Sequence, residues 1–200
     1  MNTENKIKRL VPYVALFLLF FGAFFNSIAQ VVMPKDEAGK ITYLDVVKKD
    51  SVATDSIFKR ILEWTKFTYP TRKITIDSIE RKIVTRERFL VYTNPGVLKE
   101  IHGAIRYDLA IEIKENRYRY TFTNFVFEYY KQNRDLKYAP TGATKVLEDE
   151  KFPGWQTPWV KHKNSTDAHV KAKIEDLSKA VDNKKPETMV IPTVKKSKDW

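Results

Sequence analysis

The chain contains no cysteine. That one absence removes disulfides, thiolate metal centres and thiol nucleophiles together, and with them the residue a bacterial lipoprotein needs for its lipid anchor. Glycine is scarce as well, six in 200 residues, and none of them builds the Gly-rich loop that cradles a phosphate. There are only three histidines, His102, His162 and His169. His162 and His169 are close enough in sequence to share an ion, but a metal centre needs three or four converging ligands, and their spacing matches no familiar site. No G-x-S-x-G elbow is present and no histidine sits in a recognisable relation to a serine, so serine chemistry has no foothold. Asp45, Asp77, Glu80 and Asp108 fall in strand-like stretches, where acidic side chains form a solvated face. The expectation is a protein without cofactor or metal, and not an enzyme.

What is present begins with a long apolar run. Lys6, Lys8 and Arg9 precede an almost unbroken apolar stretch over residues 11–25, and Ser27-Ile28-Ala29 puts small residues where a signal peptidase cuts. The pattern predicts a signal peptide over residues 1–29. An uncleaved anchor would need about 20 apolar residues to span a bilayer, more than this run supplies. Cleavage removes three bases and Glu4, so the formal charge of +11 becomes +9. The protein is then expected to be exported, periplasmic or extracellular, without a membrane span, and remote from chromosomal DNA.

Composition over the whole chain, 42% apolar and 30% charged, fits one domain with a real core. After a short leader at 30–39, residues 40–48 alternate as a strand buried over most of its length. Ile57, Phe58, Ile61, Leu62 and Trp64 then recur at helical spacing, predicting a helix over 54–67 with Asp50, Ser51, Thr54 and Asp55 as possible caps, stopped by Pro70. Strands follow around Ile74-Ile76 and over 82–92, the second with neither face cleanly apolar, its first half an exposed or edge segment whose Arg86, Glu87 and Arg88 discourage pairing. Asn94-Pro95-Gly96 marks a turn.

Residues 103–129 form the most regular stretch. Ile105, Tyr107, Leu109, Ile111 and Ile113 alternate with polar residues, as only a two-residue period allows, and after a tight turn Tyr118, Tyr120 and Phe122 continue the pattern. At Thr123-Asn124 the phase slips, so that Phe125, Phe127 and Tyr129 resume one position out; a β-bulge near Asn124 accounts for the slip. Residues 131–164 then read as a long irregular loop rich in proline and aromatics, with Thr144 to Glu150 readable as a short helix or strand within it. A second helix is expected from Ser165 or Thr166 to Val181, and residues 182–200 as a flexible tail. The order is β-α-β-β-β-β-α: an α+β domain over 40–181, with a curved antiparallel sheet of about five strands and two helices on one face.

The helix SIFKRILEWTKF, the strand beginning KITIDSI and the hairpin GAIRYDLAIEIKENRYRYTFTNFVFEY together resemble a family of secreted bacterial domains of unknown function with a TATA-box-binding-protein-like fold. The resemblance covers residues 40–181 and implies that fold. It brings no catalytic residue. It does not bring DNA binding either, because a minor-groove saddle is built from two such repeats and this chain has one.

Two surfaces are left as candidates for binding. Phe152, Trp155 and Trp159 near prolines form either a platform that stacks on sugars or grips apolar groups, or a plug for the edge of the core. Arg106, Arg117 and Arg119 form a basic stripe on the open sheet face, with Asp108 and Glu112 among them for internal pairing. The expected role is a non-enzymatic envelope module that holds a small molecule, a glycan or a protein partner on that face and on the aromatic loop. The alternative is an envelope hydrolase whose site the sequence does not display.

Overall fold

The computed structural model describes residues 31–93 and 100–182. The expected signal peptide, the Asn94-Pro95-Gly96 turn and the tail beyond Asp182 lie outside the described residues. Six antiparallel strands form one sheet: β1 (Tyr43–Lys48), β2 (Ile74–Asp77), β3 (Lys82–Tyr92), β4 (Ile101–Lys114), β5 (Arg117–Gln132) and β6 (Tyr138–Val146). Helix α1 (Thr54–Thr68) follows β1, and α2 (Gln156–Val181) follows β6. The strand order is β1-β5-β4-β3-β2, with β6 also paired to β5. Strand β5 thus shares one of its edges between two partners, β1 along residues 117–122 and β6 along residues 126–132.

The two-residue period of β4 holds throughout: Ile105, Tyr107, Leu109, Ile111 and Ile113 are all at most 2% exposed and face the helices. Across the bulge the register of β4 against β5 passes from Arg106↔Val126 to Asp108↔Thr123, so Asn124 and Phe125 together oppose Tyr107. Asn124 takes φ 58°, a left-handed conformation that asparagine tolerates better than most residues. Its amide donates to Asp108 Oδ2 at 2.7 Å and its carbonyl accepts from Lys40 Nζ at 2.8 Å. The bulge falls in the gap between the two edge partners of β5. It rotates the second half of the strand so that Phe125 and Phe127 return to the core, where both are at most 1% exposed.

Helix α1 buries Ile57, Ile61, Trp64 and Thr65, the i, i+4, i+7, i+8 stripe of an amphipathic helix. Its N-cap is Ala53, without a side-chain cap bond, and Thr54 turns its hydroxyl to Asn116 instead. The helix ends at Tyr69, immediately before Pro70.

Four expectations are corrected. The sheet has six strands, because β6 runs through the stretch read as loop; its Pro140 and Gly142 masked it, yet an edge strand accommodates a proline whose missing N–H faces away from the ladder. Helix α2 begins at Gln156 rather than at Ser165 or Thr166, with Pro158 in its first turn, where no intrahelical N–H is required. Strand β3 is flanked on both sides at its start, where residues 82–85 pair with β2 as well as β4, whereas Arg86, Glu87 and Arg88 pair with β4 alone, so only the first part of the expected edge segment is interior. Strand β1 is itself an edge, and only Tyr43 of it is fully buried.

Candidate functional site: the open face of the sheet

Both helices lie on one face of the sheet, and the aromatic and aliphatic alternation of β3, β4 and β5 is consumed there. The other face carries charge in rows that cross the strands. Paired residues in adjacent strands share a face and sit side by side, so the register shows which charges meet. Val46, Arg119, Glu112 and Lys82 form one row across β1, β5, β4 and β3. Glu112 accepts from Arg119 and from Lys82, at 3.1 Å for the lysine, and these hydrogen bonds outweigh its partial burial and hold its carboxyl below the usual range. In another row Asp108 accepts from Arg86 at 2.6 Å; burial pushes its carboxyl up, but the bonds from Arg86 and Asn124 prevail and leave it low. Glu128 lies 3.5 Å from Arg106 and 4.0 Å from Arg88.

One row has no acid. Arg117 lies opposite Lys48 of β1 on one side and Lys114 of β4 on the other, all three exposed. Among the described residues none of these cations forms an ion pair. A shallow depression of about 190 Å³ opens between this row and the next, lined by Val46, Glu112, Lys114, Arg117 and Arg119. Of the predicted basic stripe, Arg117 and Arg119 therefore share a concave site, whereas Arg106 sits farther along the face, committed to Glu128. Lys48 and Lys114 escaped the sequence reading. Each ends a strand, and only the register brings them beside Arg117.

The aromatic segment divides. Trp159 is fully buried, its indole N–H donating to Asp149 O at 2.8 Å and its ring packed edge-on against Phe127 and Phe152. It closes the core and does not wait for a ligand. Phe152 is partly buried against the same cluster, beneath Lys145 Nζ at 5.4 Å. Trp155, partly exposed at the start of α2, stacks on His102 with centroids 4.2 Å apart.

Residues 43–128 match the family model of a domain of unknown function (DUF4468) with TBP-like fold. This segment is thus similar to DUF4468 domains. The fold is likewise that of a TBP-like protein from Parabacteroides distasonis, which is 22% identical with a TM-score of 0.61 over 75% of this chain and 97% of that one. A DUF4468 family protein from Bacteroides ovatus is 12% identical with a TM-score of 0.56, over 74% of this chain and 90% of the other. No curated protein matches. The cationic row lies inside the DUF4468 match, which ends before β6, the aromatic segment and α2.

Under the helices the domain also buries polar groups that the sequence did not single out. Glu87 faces α2 from β3, 6% exposed, with Arg72 at 3.2 Å from one oxygen and the other oxygen without a partner; burial raises its pKa against the pull of Arg72. Next to it Tyr107 Oη lies 3.4 Å from Tyr69 Oη and 3.3 Å from His169 Nε2. Burial pushes the Tyr107 phenol up to about 12, so it stays a neutral hydrogen-bonding group. His162 and His169, proposed above as conceivable co-ligands, are held apart: one meets His102, and the other stacks on Phe89 at 4.0 Å. Among the described residues no cluster of three metal-binding side chains occurs, nor any helix long and apolar enough to cross a membrane.

Proposed function

We propose that the protein is an exported, non-enzymatic envelope module that holds a small molecule, a glycan or a protein partner on the open face of its sheet. The observation that carries this reading is the division of labour between the two faces. The helix side is occupied by the core, whereas the other side presents ordered charge and a depression to solvent. The export part rests on the basic, apolar and small-residue order of residues 6–29. The aromatic segment contributes less than its composition promised, because Trp159 is spent on packing; Trp155 and Phe152 remain beside the sheet as the edge of the domain.

The test is retention of the full chain on envelope fractions: peptidoglycan, membrane lipid and soluble envelope protein. Wild type is expected to be retained on one fraction, and the Arg106→Ala/Arg117→Ala/Arg119→Ala variant to be released from it while keeping its circular dichroism. Equal retention of the two proteins removes the open face from the function. Fractionation tests the address: the mature protein should begin at Gln30 and appear outside the cytoplasm.

A further inference from the structure

Like charges set directly across from one another in a sheet destabilise it. Elsewhere on the open face each group of cations includes a carboxylate, as Glu112, Asp108 and Glu128 show. The row Lys48, Arg117, Lys114 has none, although adjacent strands place all three side by side. Counting Glu112 once against Lys82 and Arg119 leaves one further positive charge bordering the same depression. Glu115, in the turn after Lys114, is exposed and forms no ion pair among the described residues. A fold that keeps this repulsion holds a place for negative charge.

The shape of that place narrows the anion. Arg117 supplies a planar fork of donors suited to two oxygens at once, and the lysines supply point charges on either side. That much uncompensated positive charge matches a dianion better than a single carboxylate. Beside the row, on the same face of β1, Val46 and Leu44 are 46% and 54% exposed. Val46 lines the depression itself. An apolar wall next to a cationic row fits a ligand that carries both kinds of group.

We infer that Lys48, Arg117 and Lys114 bind the phosphate of a phosphomonoester whose apolar portion rests on Val46 and Leu44. The inference rests on the reading of the open face as the binding surface and names its ligand chemistry. A lipid headgroup and a soluble aryl or alkyl phosphate share that chemistry, and the arms of the test separate them.

The full chain is titrated by calorimetry with phenyl phosphate, inorganic phosphate and acetate, and sedimented with phosphatidic acid vesicles against phosphatidylcholine vesicles. Phenyl phosphate is expected to bind more tightly than inorganic phosphate, acetate not to bind, and Lys48→Gln/Lys114→Gln/Arg117→Gln to weaken binding at least about tenfold. Val46→Ser/Leu44→Ser should bring phenyl phosphate down to the affinity of inorganic phosphate. Sedimentation with phosphatidic acid vesicles that is lost in the triple variant assigns the lipid source, and phenyl phosphate binding without sedimentation assigns the soluble one. Absence of binding to every phosphate probe, or binding undiminished in the triple variant, overturns the inference. All of these substitutions are at exposed positions, and circular dichroism verifies folding. A chain that is retained on envelope fractions through its open face yet ignores every phosphate probe overturns this inference alone; loss of both results overturns the reading beneath it too.

Discussion

His102 Nδ1 lies 2.6 Å from His162 Nε2, with both rings at most 3% exposed. The contact joins the start of β4 to α2 beneath Trp155, and Phe127 stacks on the His162 ring. Two imidazoles at this distance share one proton between them, and His102 Nε2 on the far side of the pair is buried without a hydrogen-bond partner among the described residues.

The first prediction follows from that pair. Burial lowers the pKa of His102; burial and then the positive charge of its neighbours push His162 down to about 3, and His169 falls to about 4 for the same main reason. The unfolded chain titrates these groups near pH 6.5 and so binds more protons than the folded one between the two limits. Their contribution to stability is complete above about pH 6.5 and declines as pH falls through the window toward 4, by up to about 1.4 kcal/mol per pH unit for each histidine. Urea unfolding at pH 7 and pH 5 measures it, and equal midpoints contradict it.

Trp159 and Trp155 should separate on truncation. Trp159→Ala removes a fully buried indole and opens a cavity among Phe127 and Phe152, at a cost of about 3–5 kcal/mol. Trp155→Ala loses a partly exposed stack and should cost about 1 kcal/mol. Denaturant midpoints of the two variants give the comparison; similar losses would mean that Trp155 is as deeply packed as its neighbour.

At the bulge, Asn124 combines a left-handed backbone with bonds to Asp108 and Lys40. Asn124→Gly keeps the backbone and loses the bonds, whereas Asn124→Val loses both and adds about 1–2 kcal/mol of steric strain. Thermal unfolding should rank wild type above glycine and glycine above valine. A valine variant equal to the glycine variant shows that the bulge has relaxed.

Neutralising the centre of the cationic row should stabilise the unliganded domain. Arg117→Gln removes two cross-strand repulsions and is expected to gain about 0.5 kcal/mol at low salt. The gain should shrink as added salt screens exposed charges. Chemical denaturation at two ionic strengths tests both the sign and the salt dependence, and a loss at low salt contradicts it.

Much of the fold could be read from the alternation of β4 and β5. Large apolar groups at every second position are hard to place otherwise, and even the phase slip at Asn124 announced its bulge. The start of α2 could not be read, because its buried stripe is largely polar. Trp159, His162, Lys163, Thr166, Asp167 and Val170 keep helical spacing, but four of the six would be scored as surface. Their partners come from far away or from the helix itself: His102 for His162, the His162 carbonyl for Thr166, and Tyr43 Oη for Asp167 at 2.9 Å. Strand β6 was hidden by Pro140 and Gly142, which an edge tolerates. In the candidate site Arg117 and Arg119 were legible as a basic pair. Their setting was not, because Lys48 and Lys114 join them through strand register.

The divided edge of β5 also sets an order of assembly. Strand β1 comes first along the chain, yet the residues it pairs with begin at Arg117, and its Tyr43 hydroxyl is held by a carboxylate 124 positions later. Such distant pairings carry the entropy of closing long loops and form slowly. A ribosome releasing this chain from its N-terminus therefore presents β1 well before any surface exists to receive it. The local hairpin of β4 and β5 can close as soon as it emerges and offers β1 its edge, but the Tyr43 hydroxyl waits for the last helix before it finds its partner.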